Sequence, residues 1–344
     1  MLTTIIATIF VIGLLVFFHE FGHFVTAKFT GMRVDEFAIG FGPKLISKRQ
    51  GETVYSLRII PLGGFNKIAG MSTDEEQDER SFSSKPIWAR MLVIFAGSFM
   101  NFVLPVLLIF LVISNSGIDI PSNQAVIGNV IANQPAARAG LINGDRILEI
   151  NGVKVESWTQ VVAAIRNISD AQMEITFMRG DSTSTVTVIP EYTEGVNYRV
   201  IGVAPVVNKY QPGLLEAAGL AVKQTFMWSV AILEGFRDMF TGRVPAEVAG
   251  PIGVAKIVGE VAQVGFIPLL RIAAFLSINI GMINLLPVPV LDGGHIVTLA
   301  VEGVRRKPIS KEKLQFFQMI GLALLIMLFI FATFKDVMRI FQNQ

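Results

Sequence analysis

Four runs of this chain stay apolar for about the 20 residues that a bilayer core requires. They lie at 1–27, 91–113, 268–295 and 314–336. The first, "IIATIFVIGLLVFFHEFGHFVTAKF", is too long for a signal peptide and has no basic stretch ahead of it, so it is expected to span. The second is interrupted mainly by Asn101, the third ends in "NLLPVPVLDGGH", and the fourth is "FFQMIGLALLIMLFIFATF".

Between these runs the pattern changes. Within 28–90, the stretch 34–70 alternates apolar and polar positions between Gly and Pro breaks, which predicts short strands with turns. The cluster "STDEEQDERS" that follows reads as a solvated loop. Region 124–206 predicts a separate folded domain of strands with one helix. In the following region, 207–267, apolar residues recur at helical spacing over 214–240, with Glu216, Lys223, Glu234, Arg237 and Asp238 interspersed. That suits a helix lying on the outer membrane surface. A fifth span there would reverse everything after it.

Composition agrees with a multi-spanning membrane protein. Apolar residues make up 52% of the 344 and charged residues only 16%, against roughly 25% charged in soluble domains. The mean hydropathy is +0.56. A net charge of +2 gives no reason to expect a nucleic-acid partner. With no cysteine, disulfides and thiolate zinc sites are excluded. Lysine and arginine set the orientation. The 28–90 connection carries ten, and "VRRKPISKEK" between spans three and four carries five. Both connections should be cytoplasmic, which places the N-terminus, the inserted domain and the C-terminus outside, against a weak contrary signal from Lys335 and Arg339.

The candidate chemistry lies inside the first span. His19-Glu20-Phe21-Gly22-His23 fits the pattern H-E-x-x-H, and the chain has only three histidines. On a helix, His19 and His23 share a face and can both reach one metal ion, while Glu20 is offset to take a proton from a water beside it. Ionisable groups within a span are costly and mark function. Catalytic zinc usually has three protein ligands, so one more is needed. At 1.5 Å per residue the two histidines lie roughly 25–30 Å along the span, and the "LDGGH" stretch at the end of span three arrives at similar depth. Pro287 and Pro289 break the helix before it, and Gly293 and Gly294 permit a tight turn. Asp292 and His295 both qualify as the third ligand, and depth does not separate them.

Taken together, HEFGH in span one, "GFGP" and "PLGGF" in the strand region, "AGSFMNF" in span two, "GPIGVAKI" before span three and "NLLPVPVLDGGH" within it resemble the RseP-type site-2 proteases of bacteria. The "AGLINGDRILEINGVKV" stretch resembles a PDZ domain of the protease-associated bacterial type. The resemblance implies a polytopic α-helical membrane protein of about four spans, with a membrane-associated β region and one inserted extracytoplasmic PDZ domain. It implies an intramembrane zinc metalloprotease of the bacterial inner membrane, with His19, His23 and Asp292 holding Zn2+, Glu20 as catalytic base and Asn284 handling substrate near the site. His295 is not a ligand in that family. The expected partners are the lipid bilayer and single-span membrane proteins of the anti-sigma factor or remnant signal peptide type, with the PDZ groove taking peptide termini. The rival readings are an inactive membrane scaffold presenting a PDZ domain and a metal transporter. An intact His-Glu-His-Asp set counts against the first, and the lack of carboxylates along span two and the 316–334 stretch of span four counts against the second.

Overall fold

The computed structural model describes residues 1–71, 78–167, 172–192, 199–244 and 249–342. Most of the acidic cluster read as a solvated loop lies outside them. The chain divides into two compact units, Ser116–Pro212 and the remainder.

The chain opens with α1 (Leu2–Phe29), followed by β1 (Val34–Gln50), β2 (Thr53–Ile68) and α2 (Ile87–Ser116). α1 stops where Thr30 turns its hydroxyl back onto the Thr26 carbonyl and Gly31 takes a positive φ of 71°, the usual helix exit. β1 and β2 then fold on each other twice. Phe37, Ala38 and Ile39 face Asn66, Phe65 and Gly64 on one side and Tyr55, Ser56 and Leu57 on the other. Segment 34–39 is therefore central and 64–68 is an outer strand. Glu52, in the turn between β1 and β2, receives hydrogen bonds from Arg80 and from Lys28 at the end of α1. Those bonds hold its carboxyl down at about 2.

In the inserted unit follow β3 (Ile118–Pro121), β4 (Ile127–Val130), α3 (Pro135–Arg138), β5 (Arg146–Ile150), β6 (Val153–Lys154), α4 (Trp158–Arg166), β7 (Met173–Arg179), β8 (Ser182–Val188), β9 (Glu191–Tyr192), β10 (Arg199–Val200), β11 (Val203–Pro205) and β12 (Val207–Tyr210). Its main sheet has the order β6-β5-β7-β8. Asn151 and Gly152, both at positive φ, make the two-residue turn that joins β5 to β6. Ser157 and Gln160 form a reciprocal capping box that starts α4. Along β7, Met173, Ile175 and Phe177 point inward at alternate positions and meet Ile127, Ile147, Val161 and Ile165 in one core. Pairing of β3 with β12 brings the two ends of the insertion together, so the compact unit reaches beyond 124–206.

The first unit resumes with α5 (Leu214–Phe240), α6 (Pro251–Val264), α7 (Phe266–Asn284), α8 (Asp292–Arg305) and α9 (Lys311–Gln342). Among the described residues four helices are long and apolar enough to cross a membrane: α1, α2, α7 and most of α9. α5 is not one of them. It buries Ala217, Ala221 and Thr225 along one face, and its Trp228 packs edge-on to Phe275 of α7 at 6.0 Å. α6 crosses α1 at Gly259, where a Cβ would collide with Thr4. The start of α6 is held by Asp336 of α9, which accepts from the Gly250 and Gly253 amides at 3.0 and 2.7 Å. Within 268–295 the helix stops at Asn284, ahead of the two prolines, and a new one begins at Asp292.

Candidate metal centre

Helix periodicity sets His19 and His23 one above the other on α1, and the α1–α2 crossing determines what they meet. Gly22 lets the two helices touch, since a Cβ there would run into the Ala96 carbonyl. Gly97 leaves the space that the His23 ring fills; a Cβ there would occupy the position of Nε2. The second half of the cluster comes from the break after α7. The backbone between the helices doubles back over the first turn of α8. A Cβ on Gly293 would strike the Leu285 and Leu286 carbonyls, and one on Gly294 the Val288 carbonyl. Val290 takes φ +82°, a region that a β-branched residue avoids, so this turn stores strain. Asp292 thereby emerges at the first position of α8.

The structure brings His19, His23 and Asp292 together, with one donor atom of each within 4.8 Å of the others. The two Nε2 atoms are 3.3 Å apart. His19 Nε2 lies 3.7 Å from Asp292 Oδ2, and His23 Nε2 lies 3.6 Å from Oδ1. These contacts to the carboxylate are too long for hydrogen bonds. Ligands held 2.0–2.1 Å from a tetrahedral zinc sit about 3.3–3.4 Å from one another, so small shifts close all three distances onto one ion. The donor set of two imidazoles and a carboxylate fits zinc.

Glu20 stands beside the cluster. Asn66 of β2 donates from Nδ2 both to the Glu20 carbonyl and to its Oε2, each at 2.7 Å. Gly64 closes on the same side chain, with the Glu20 Cγ only 3.0 Å from where its Cβ would be. The 64–68 strand thus positions the carboxylate, and its far edge pairs with no strand among the described residues. Asn284, the last residue of α7, places its amide nitrogen 3.5 Å from His19 Nδ1.

α2 supplies further contacts. His23 Nδ1 donates to the Val93 carbonyl at 2.8 Å. Ser98 Oγ donates to Asp292 Oδ2 at 2.8 Å. Asn101, fully buried, has its Nδ2 3.3 Å from His19 Nδ1. Of these, only Asn101 stands out in the sequence, as a polar interruption. Ser98 lies in the "AGSFMNF" stretch without any spacing that marks its role, Asn66 carries no sequence signal, and a backbone carbonyl has none to carry.

His295 goes elsewhere. It lines a cavity of about 680 Å³ together with Phe82, Arg90, Leu299, Glu302 and Arg306, and it is not part of the three-ligand cluster. The inserted unit has its own cavity of about 300 Å³, between α4 and the strands β10 and β11, walled by Ile131, Val162, Ile165, Val200, Ile201 and Val203.

A profile of peptidase family M50 matches residues 7–328. Among curated proteins, the regulator of sigma-W protease RasP of Bacillus subtilis is 32% identical, covering 98% of this chain and 99% of that protein. The zinc metalloprotease RasP of Bacillus licheniformis is also 32% identical, over 99% of this chain and all of that one. Among solved structures, the PDZ domain of an SdrC-like protein from Listeria monocytogenes aligns at 21% identity, covering 26% of this chain and 94% of that one. Its TM-score of 0.23 is too low to carry an argument.

Proposed function

The chain belongs to peptidase family M50 and is a zinc-dependent metalloprotease of the membrane, and on that premise we propose that it cuts single-span membrane proteins within their transmembrane segment. His19, His23 and Asp292 hold the zinc. When bound there, zinc makes a water nucleophilic near neutral pH and polarises the scissile carbonyl. Glu20 takes the proton of the attacking water on its carboxylate and later hands it to the leaving amine. Asn66 keeps one oxygen of Glu20 engaged, which leaves the other for that proton. Asn284 donates from its amide to the substrate backbone.

A peptide bond inside an intact helix is already hydrogen-bonded, so the substrate must unwind before attack. The outer edge of the 64–68 strand, which pairs with no strand among the described residues, belongs to the strand that holds the base and offers the released segment a surface for strand addition. Positive connections put the N-terminus, the inserted unit and the C-terminus outside the cell, and the β region and α8 on the cytoplasmic side. The apolar cavity between α4 and β10–β11 then takes the end of an already shortened ectodomain, in the manner of a PDZ groove. Anti-sigma factors and remnant signal peptides have this form, and the Bacillus subtilis relative is named for regulating sigma-W.

One observation carries the reading: three zinc-type donors from two distant segments converge within a span, with a carboxylate fixed beside them. Wild type and Glu20→Gln, purified in detergent, should each hold one zinc. Incubated with a tagged single-span substrate lacking its ectodomain, the variant should cut about 10²–10⁴-fold more slowly. Equal cleavage by both would remove Glu20 from the mechanism.

A further inference from the structure

Each of the three candidate ligands has a polar partner on α2 within about two turns of that helix, and the Gly97 backbone is a further partner of His19. Two of the contacts are settled by chemistry. A carbonyl only accepts, so the Val93 oxygen requires the proton of His23 on Nδ1 and leaves the Nε2 lone pair free. Asp292 accepts from Ser98, which fixes one carboxylate oxygen while the other stays open toward His23.

The contact to His19 is different. The Asn101 and Asn284 amide nitrogens both face its Nδ1, at 3.3 and 3.5 Å, and amide N–H groups only donate. With Nδ1 accepting, the single proton of the neutral ring sits on Nε2, which points at the metal position. A bound metal takes the Nε2 lone pair, so that proton must move to Nδ1, and Nδ1 then needs an acceptor. Asn101 has one to spare. Its Oδ1 is buried and has no hydrogen-bond partner among the described residues. An orphaned carbonyl oxygen buried in a span costs about 1–3 kcal/mol, so its persistence calls for a use.

We propose that Asn101 is a positioning residue for the metal: when zinc binds, its amide turns and Oδ1 accepts the His19 Nδ1 proton, so that α2 completes the outer shell of the site and Asn284 stays free for substrate. The proposal rests on the ligand assignment above. No net proton is released by His19, because the ring is neutral before and after. The Ser277 hydroxyl helps to fix this stretch of α2 by donating to the Asn101 backbone carbonyl at 2.9 Å, a bond that side-chain replacement leaves intact.

The test is zinc affinity in the full-length protein in detergent, measured by competition with a chromogenic chelator. Wild type should bind one zinc and His19→Ala none. Asn101→Leu should bind about 10–100-fold more weakly, the usual effect of removing an outer-shell partner. Asn101→Asp, which keeps the shape and offers only acceptors, should stay close to wild type, as should Asn284→Leu. If Asn101→Leu binds as tightly as wild type, or if Asn101→Asp is as weak as Asn101→Leu, the proposal is overturned while the ligand assignment stands. Asn284→Leu losing as much affinity as Asn101→Leu would give the acceptor role to the wrong amide. Wild type without zinc, or His19→Ala retaining it, would overturn the ligand assignment itself. Should Asn101→Leu not fold, Asn101→Ala takes its place in the same comparison, and wild-type affinity in that variant overturns the proposal.

Discussion

Asp145 in the inserted unit and Asp292 in the helical unit are both carboxylates largely removed from water, and they are answered in opposite ways. Asp145 is fully buried, yet Arg179 grips it with two hydrogen bonds of 2.8 Å, and the Ile142 amide adds a third at 2.9 Å. Its charge is met by a cation and its lone pairs by donors. Asp292 is 13% exposed and, among the described residues, receives one neutral hydroxyl hydrogen bond, from Ser98. What faces its oxygens otherwise is a pair of imidazole nitrogens beyond hydrogen-bond reach. A buried carboxylate without a cation is expensive. One is complete as folded, and the other is complete only with a positive ion between it and the histidines. Asp336 behaves like Asp145, with two backbone amides at the start of α6 supplying its donors. The presence of a buried acid is therefore a poor pointer to chemistry; the completeness of its donor set is a good one.

The largest effect should come from breaking the incomplete site. Asp292→Ala should abolish both stoichiometric zinc and cleavage, since it leaves two imidazoles where three ligands are usual. Asp145→Ala should leave zinc content unchanged. Metal analysis of both variants, purified side by side, checks the contrast. A loss of zinc in Asp145→Ala, or its retention in Asp292→Ala, would dissolve the distinction between the two carboxylates.

How much of this was legible beforehand depends on how local each feature is. The four apolar runs are composition, and they are where the long apolar helices lie. HEFGH is a local spacing on one helix, and it delivers two nitrogen donors to one point. Depth along the span left the third candidate ligand open between Asp292 and His295, the family resemblance pointed to Asp292, and which of the two turns toward the histidines follows from the 285–291 backbone. That backbone, with Gly293 and Gly294 under the doubled-back carbonyls, places Asp292 in the cluster and His295 in the neighbouring cavity. Asn66 was invisible because its role comes from strand 64–68 lying against α1, a contact no spacing encodes. Val93 was invisible because it acts through its backbone. The double pairing of β1 and the β3–β12 closure join residues far apart in sequence, which alternation of apolar and polar positions cannot register.

A middling effect should follow from breaking the complete site. Arg179→Ala leaves Asp145 buried with its main partner gone. Removing one partner of a buried hydrogen-bonded charge destabilises the fold, and Arg179 is itself 44% exposed, so solvent screening keeps the expected loss modest. Hydrogen exchange at β5 and β7 of the full-length protein should accelerate accordingly, with zinc content unchanged. Unaltered exchange would mean that water replaces the guanidinium without loss.

The smallest effect is a pH dependence, and its sign separates the two aspartates once more. Burial pushes the Asp145 carboxyl up, but the Arg179 hydrogen bonds and the Ile142 amide outweigh it and hold the group below the usual carboxylate value. A depressed folded pKa adds stability above the unfolded value, about 3.9 for aspartate, and that stability drains away as pH falls toward the folded one. Wild type should therefore lose protection in β5 and β7 on acidification from about pH 5 downward, after correction for intrinsic exchange. Arg179→Ala should lose less over the same range, because without the guanidinium the folded pKa returns upward and the linkage shrinks. The two stability curves should converge as the pH falls. Parallel curves would show that Arg179 acts through packing on Phe177, whose ring centre is 5.0 Å from its guanidinium carbon, rather than through the charge of Asp145.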